Sequence, residues 1–156
     1  MLFHEVPSKN FDYQKSTEVF GFDIANVKIE KEKAFNLANE VCLKSGTSFI
    51  EMRIWSESAK MSMGKLILEA NRGNSNALTE LKNWEEKVLN RIHWFVDQFS
   101  SYSQALDRLN PPLTTENIRP FQAIVSMNRK SGLETIQALV PIIREYHNIV
   151  DIADEE

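Results

Sequence analysis

GNSNALTELKNWEEKVLNRIHWFVDQFSSYSQALDRLNPP, residues 73–112, is the most regular part of the chain. Its apolar residues recur in steps of three or four, a spacing that places side chains on one face of an α-helix. The residues on that face are Leu81, Trp84, Val88, Ile92, Phe95, Phe99, Tyr102 and Leu106. Glycine and asparagine before the pattern and two prolines after it are typical of helix boundaries. The stretch therefore predicts one helix of about 30 residues and about 50 Å, with an apolar seam that needs partners.

Two more helices are predicted before this one, with a boundary at Gly46. The first carries an apolar face made of Val27, Ala34, Ala38, Val41 and Cys42. Gly46 is expected to end it, because glycine commonly follows the last turn of a helix. Ser48, followed three residues later by Glu51, is typical of a capping box. That box predicts a second helix, which runs to about Arg72.

The predicted second helix has two apolar stripes. One gathers Phe49, Met52, Trp55, Ala59, Met63, Leu66, Ile67 and Ala70. The other consists of Ile50, Ile54, Met61 and Leu68 and lies well over 90° away around the helix. Because each apolar stripe of a helix needs cover, we expect this helix to be packed on both sides, as the central helix of a bundle.

Two shorter helices are predicted after the prolines. The first starts near TTENIRP, where Pro120 is tolerated in the first turn, and ends at Gly132. Ser131 and Glu134 have the spacing of a cap for the next helix, which Pro141 must kink or divide.

The fold predicted from these patterns is all-α, a single-domain bundle of five to six helices over residues 25–156. Residues 1–24 show no helical period and are expected to form an irregular arm. Its aromatic side chains are Phe3, Phe11, Tyr13, Phe20 and Phe22. Such an arm could lay rings into grooves of the bundle, while EVFGFDI is equally compatible with a short strand.

Composition and charge argue against several classes of protein. A formal net charge of −4 gives no general excess of cations for phosphates, so nucleic-acid binding is disfavoured. The single cysteine, Cys42, excludes an intramolecular disulfide and is typical of a reducing compartment. The sequence shows neither a signal-peptide pattern nor a membrane-spanning apolar run. We therefore expect a cytoplasmic protein that does not insert into membranes.

Motifs of the common enzyme classes are missing. The SMGK stretch lacks the partner glycine of a phosphate-binding loop, and no histidine has a glutamate three residues before it, as a carboxylate-bridged di-metal bundle requires. One cysteine and three distant histidines give no zinc pattern. The sequence thus predicts no catalytic, cofactor-binding or metal-ligating residue, and no cofactor.

Trp94 is the one residue whose position indicates a possible role in binding. It lies away from the seam, on a polar side of the long helix with Lys87, Asn90 and Ser101. A large aromatic residue there is covered by the arm, covered by another helix, or used to bind a partner. Together with the long amphipathic helix, it favours a non-enzymatic interaction module. Such a module would act as an adaptor, inhibitor, chaperone or small assembly subunit, with another protein or a second copy of the chain as partner.

Two other functions are kept beside this one. A helical nucleic-acid-binding subunit would use the local basic residues Arg119, Arg129, Lys130 and Arg144. The helix after NRKSG has no Arg or Lys in its first two turns, which weakens a resemblance to a DNA-reading helix. A hydrolase with a site assembled from distant residues is the third hypothesis.

Overall fold

The computed structural model describes the backbone of residues 31–155 and the side chains of residues 33–152. It contains four helices, and their bounds are α1 (Lys31–Asn71), α2 (Ser75–Asp107), α3 (Thr115–Gln137) and α4 (Val140–Glu155). No strand occurs in this range. The all-α prediction is therefore confirmed. The predicted number of helices is wrong for the described part of the chain, which has four rather than five or six.

The two longest helices form an antiparallel hairpin. Gly73, with φ 94°, makes the turn between them, a conformation that glycine adopts without strain. Asn74 then caps α2, its side chain accepting a hydrogen bond from the backbone N–H of Asn76. Near the far end of the hairpin, Ser48 Oγ and Tyr102 Oη lie 2.6 Å apart in a buried hydrogen bond.

The last two helices together form a third rod. The side-chain amide of Asn128 in α3 donates to Ser45 Oγ in α1 at 2.9 Å. After a break at residues 138–139, α4 continues along α2, where His147 contacts Glu85. The fold is thus a three-helix bundle in which the third helical rod is divided into α3 and α4.

The predicted seam of α2 forms the centre of the core. Seven of its eight residues are at most 3% exposed, namely Leu81, Val88, Ile92, Phe95, Phe99, Tyr102 and Leu106. Trp84 is only half-buried and packs against the edge of the core. The predicted helix of about 30 residues is confirmed, because α2 has 33.

The predicted helix boundary at Gly46 is wrong, since α1 is one continuous helix of 41 residues. Gly46 does not take the positive φ of a helix-ending glycine. Ser48 is not a cap either, because its hydroxyl bonds to Tyr102. The buried residues Val41 and Met52 lie on one face of this helix, so a single rod covers the core on both sides of the glycine.

The predicted end at Gly132 is also wrong. Gly132 lies inside α3, against the ring of Phe95, so its role is to permit close packing. The chain breaks later, at Ala138 and Leu139. Pro141 therefore falls in the first turn of α4, where a missing N–H costs no helical hydrogen bond.

The expected two-sided packing of the Ile50–Leu68 stripe is contradicted. Ile50, Ile54, Met61 and Leu68 are 48–69% exposed, so α1 lies at the surface of the described bundle. The predicted arm, residues 1–24, and the boundary at residue 25 lie outside the described residues. No helix in the described range is long and apolar enough to cross a membrane.

Candidate functional site

All three tryptophans of the chain line one open groove on the outer side of the α1–α2 hairpin. We call this the tryptophan groove. Its residues are Trp55 from α1 and Trp84, Lys87, Asn90, Arg91 and Trp94 from α2. The ring centroids of Trp55 and Trp84 lie 6.2 Å apart, tilted by 55°. The groove is formed by two helices, so the tryptophans meet only when the hairpin is folded.

Two cations lie between two of the rings along α2. Trp84, Lys87, Arg91 and Trp94 follow one another in steps of three and four, so they lie along one face of α2. The ammonium of Lys87 is 4.7 Å from the centroid of the Trp84 ring. The guanidinium of Arg91 is 3.9 Å from the Trp94 ring and 5.7 Å from the Trp55 ring. Each cation is held against an aromatic face, the arrangement of a cation–π interaction.

Arg91 keeps donor capacity that the described side chains do not use. Its Nε is buried and has no hydrogen-bond partner among them. Burial lowers the pKa of Arg91, while the nearby Glu51 carboxylate raises it. Even a lowered pKa leaves a guanidinium charged at neutral pH. Because Nε is buried, only the terminal Nη groups of this charged guanidinium can meet a carboxylate or a phosphate in the groove.

The groove continues in both directions along the hairpin. Towards the Tyr102 end, Leu43, Lys44, Thr47, Ser48, Glu51, Gln98 and Tyr102 extend it beyond Trp94. Towards the Gly73 turn, Ser62, Lys65, Leu66, Glu69, Glu80 and Asn83 extend it beyond Trp84. Both extensions carry charges of both signs. The tryptophan groove is therefore an aromatic centre with a mixed polar rim.

Three of the four residues predicted for partner binding come together in this groove. Lys87 and Asn90 are exposed, and Trp94 is half-buried between Arg91 and the core. Ser101 does not join them, because it is 1% exposed. Its hydroxyl donates to the Asp97 carbonyl oxygen one turn back, so the buried oxygen is satisfied within its own helix.

Sequence reasoning missed two groove residues, Trp55 and Arg91. Arg91 could have been found, because it stands three residues before Trp94 and four after Lys87 on the same helix face. Trp55 had no comparable signal. Its periodicity placed it on the apolar face of α1, and only the pairing of two helices brings it to Trp84.

The four basic residues proposed for nucleic acid lie in different surroundings. Arg119 and Lys130 are exposed on α3, about 16 Å apart along the helix. Arg129 lies in a separate small groove that also contains Asp107. Arg144 belongs to α4 and lines a groove whose other charged residues include two glutamates.

That last groove lies between α2 and α4 and has a volume of about 300 Å³. Its apolar lining consists of Val88, Leu89, Val140 and Ile143. Its rim holds Glu85, Glu86, Arg144 and His147. His147 contacts Glu85 across this groove, so these two rim side chains are paired with each other rather than with a ligand.

Reactive groups are dispersed in the described part of the chain. The Cys42 thiol donates to the Phe121 carbonyl oxygen at 3.6 Å, and burial raises its pKa. A raised pKa lowers the fraction of nucleophilic thiolate. Among the described side chains, no three from His, Cys, Asp or Glu are placed to hold a metal ion. The hydrolase hypothesis thus gains no assembled site from these residues.

No protein-family model, curated protein or solved structure matches this chain. The tryptophan groove is therefore interpreted from its own geometry and chemistry.

Proposed function

We propose that the protein is an interaction module that binds an acidic segment of another protein in the tryptophan groove. The observation that carries this proposal is Arg91, whose charged guanidinium is held against the rings of Trp55 and Trp94 in an open groove. A carboxylate of the partner accepts from this guanidinium, and an apolar side chain beside it packs on the indole faces.

The composition of the groove supports a protein partner. Tryptophan and arginine are the residue types most enriched among those that dominate binding energy in protein interfaces. Both types are already ordered here by contact with each other, so little side-chain freedom remains to be lost on binding. The Lys87 ammonium over Trp84 adds a second cation for the same acidic segment.

Single-stranded nucleic acid also uses aromatic stacking beside cations. The surroundings of the groove are less favourable to it, because Glu51, Glu69 and Glu80 line its extensions. A net charge of −4 adds no long-range attraction for a phosphate backbone. A protein segment with one or two carboxylates meets fewer of these repulsions than a chain of phosphates does, so it is the partner class that the charges favour.

A photo-crosslinking side chain placed at Asn90 tests the proposal in the source cell. Asn90 is exposed within the groove, and Ala123, exposed on α3, is the matched control position. The expected result is an adduct at residue 90 that nuclease does not shorten and whose tryptic digest contains peptides that this chain lacks, with none at residue 123. A nuclease-sensitive adduct would assign the groove to nucleic acid, and equal adducts at both positions would overturn the proposal.

A further inference from the structure

The outer face of α1 carries a row of exposed apolar side chains. Leu43, Ile50, Ile54, Met61 and Leu68 are 72%, 48%, 59%, 69% and 58% exposed. We call this row the outer stripe. It lies on the opposite side of the helix from Met52 and Ala59, which are fully buried. At 1.5 Å per residue the stripe is about 37 Å long, longer than scattered surface residues would produce.

The spacing within the outer stripe is symmetrical. Leu43 and Leu68 are equally far from the midpoint of the stripe, which falls between Trp55 and Ser56. Ile50 and Met61 are also equally far from it. A two-fold rotation about this midpoint therefore exchanges these four positions, and it leaves Ile54 near the axis, opposite position 57. Self-complementarity of this kind is what a two-fold interface between identical chains requires.

We propose that a second copy of this chain covers the outer stripe, with the two α1 helices antiparallel. Leu43 then packs on Leu68 of the second copy, and Ile50 packs on Met61 of the second copy. The dominant spacings of seven and four residues match the seam of a left-handed helix pair. This interface shares Leu43, Lys44 and Glu69 with the extensions of the tryptophan groove but none of the residues at its aromatic centre, and it does not depend on the function proposed for the groove.

The charges beside the stripe fit the antiparallel arrangement. Arg53 lies about two residues before the midpoint and Glu57 about two after it, on the same side of the stripe. The two-fold rotation places Arg53 beside Glu57 of the second copy, and Glu57 beside its Arg53. Neither residue has an ion-pair partner among the described side chains. A parallel pair would instead set Glu57 against its own copy, which is unfavourable.

Charges on the other side of the stripe are mixed. Antiparallel pairing brings Lys44 beside both Glu69 and Lys65 of the second copy, so this side does not select an orientation. By symmetry, the attractive pair of Arg53 and Glu57 occurs twice in the dimer. Exposed pairs contribute little affinity singly, so their main effect is to set orientation, while the apolar contacts hold the chains together.

Sedimentation equilibrium of the full chain is the first test. We expect twice the chain mass of 18.0 kDa, and Met61→Asp should raise the dimer dissociation constant about 100-fold, since one substitution alters two contacts. Met127→Asp on α3 is the matched control, because Met127 is 68% exposed and Met61 69%. A monomer at a chain concentration of about 100 µM would overturn the proposal, and it is also the result expected if residues 1–30 cover the stripe. Equal weakening of the dimer by both variants would overturn the proposal as well.

Crosslinking tests the orientation in a Cys42→Ser background. Ile54 lies close to the two-fold axis, so Ile54→Cys chains should be joined to each other by a short bismaleimide. Two Leu43→Cys residues would be about 37 Å apart and should not be joined. An equal mixture of Leu43→Cys and Leu68→Cys chains should be joined efficiently. Crosslinking of Leu43→Cys with itself would show a parallel pair and overturn the antiparallel assignment.

Exchanging the charges of Arg53 and Glu57 tests whether these two residues meet across the interface. Arg53→Glu and Glu57→Arg should each raise the dimer dissociation constant several-fold, because each sets like charges side by side. The double variant restores both attractions and should return the constant to within about twofold of the original. Additive weakening in the double variant would show that the two residues do not meet. Asn90 crosslinking, measured in Met61→Asp, should remain unchanged, which keeps the two surfaces distinguishable.

Discussion

Gly132 and Phe95 are in such close contact that a Cβ atom on residue 132 would lie 2.1 Å from Cζ of the phenyl ring. The ring cannot easily move away. Phe95 is fully buried, and its ring centroid lies 4.6 Å from that of Phe99 and 6.3 Å from that of Trp94. The approach of α3 to α2 therefore depends on a missing side chain.

Gly132→Ala should destabilise the protein by about 1 to 3 kcal/mol, the usual cost of overpacking a core. Gly64→Ala is the control, because a Cβ there meets no atom within 4 Å. That control should stabilise the helix by about 0.5 to 1 kcal/mol, since alanine is favoured over glycine inside helices. Urea denaturation of both variants gives the comparison. Equal effects of the two substitutions would contradict the close contact.

Gly46→Ala tests the continuity of α1. A Cβ at residue 46 would lie 3.8 Å from the side-chain nitrogen of Asn128, an ordinary contact. We expect stabilisation by about 0.5 to 1 kcal/mol, because the residue is inside a helix. If Gly46 instead ended a helix in the left-handed conformation, alanine would destabilise the protein. The sign of the change in urea midpoint therefore decides between the two structures.

These two glycines show which parts of the fold could be predicted from the sequence. The periodicity of α2 was sufficient for its length and its buried face, because both depend on the spacing of residues along one helix. A glycine has several possible roles, and local sequence does not separate them. Gly132 is explained by Phe95, 37 positions away in the chain. Contacts of that kind exist only after the helices pack.

Contacts between helices also limited what could be predicted of the tryptophan groove and the outer stripe. Trp94, Lys87 and Asn90 could be placed together because they lie on one helix. The stripe from Ile50 to Leu68 could be recognised as apolar, but its spacing alone could not show that the described helices leave it exposed. Trp55 joins the tryptophan groove through a contact between helices. Side chains on one helix were thus predictable, and their neighbours on other helices were not.

Tyr102→Phe should cost about 1 to 2 kcal/mol, because it leaves the buried hydroxyl of Ser48 without its partner at 2.6 Å. The double variant Tyr102→Phe with Ser48→Ala removes both hydroxyls. Its cost should be smaller than the sum of the two single costs, since neither group is then left unsatisfied. Strict additivity in urea denaturation would mean that the two hydroxyls do not interact.

The same tyrosine makes stability fall at alkaline pH. Burial raises the pKa of Tyr102, an effect that the hydrogen bond from Ser48 partly offsets. The folded protein therefore binds the phenolic proton more tightly than the unfolded chain does. Its contribution is fully present below the ordinary tyrosine pKa of about 10 and is lost as pH rises through the higher folded value. Unfolding of Tyr102→Phe should show a weaker fall between pH 9 and pH 11.

Cys42 should react slowly with alkylating reagents in the folded protein. Burial raises the pKa of its thiol, so little thiolate is present near pH 8, and the sulfur is occupied by the Phe121 carbonyl oxygen. We expect iodoacetamide to modify it at least about tenfold more slowly than in the urea-unfolded chain. Mass spectrometry of the quenched reaction measures both rates. Equal rates would show that this thiol is accessible and that its pKa is not raised.

Arg91→Lys tests whether the tryptophan groove binds through the planar fork of a guanidinium or through charge alone. Lysine keeps the charge but cannot present two parallel N–H donors to a carboxylate, and it stacks less well between Trp55 and Trp94. The yield of the Asn90 adduct should fall about tenfold, which corresponds to about 1.4 kcal/mol.

Arg129→Lys, on α3, is the matched control and should leave the yield unchanged. The unfolding free energy of each variant should change by less than about 1 kcal/mol, so that a lost adduct reflects binding rather than unfolding. An unchanged adduct in Arg91→Lys would mean that charge alone suffices, and the acidic partner would then have to be recognised through Lys87 and the indole faces without a bidentate contact.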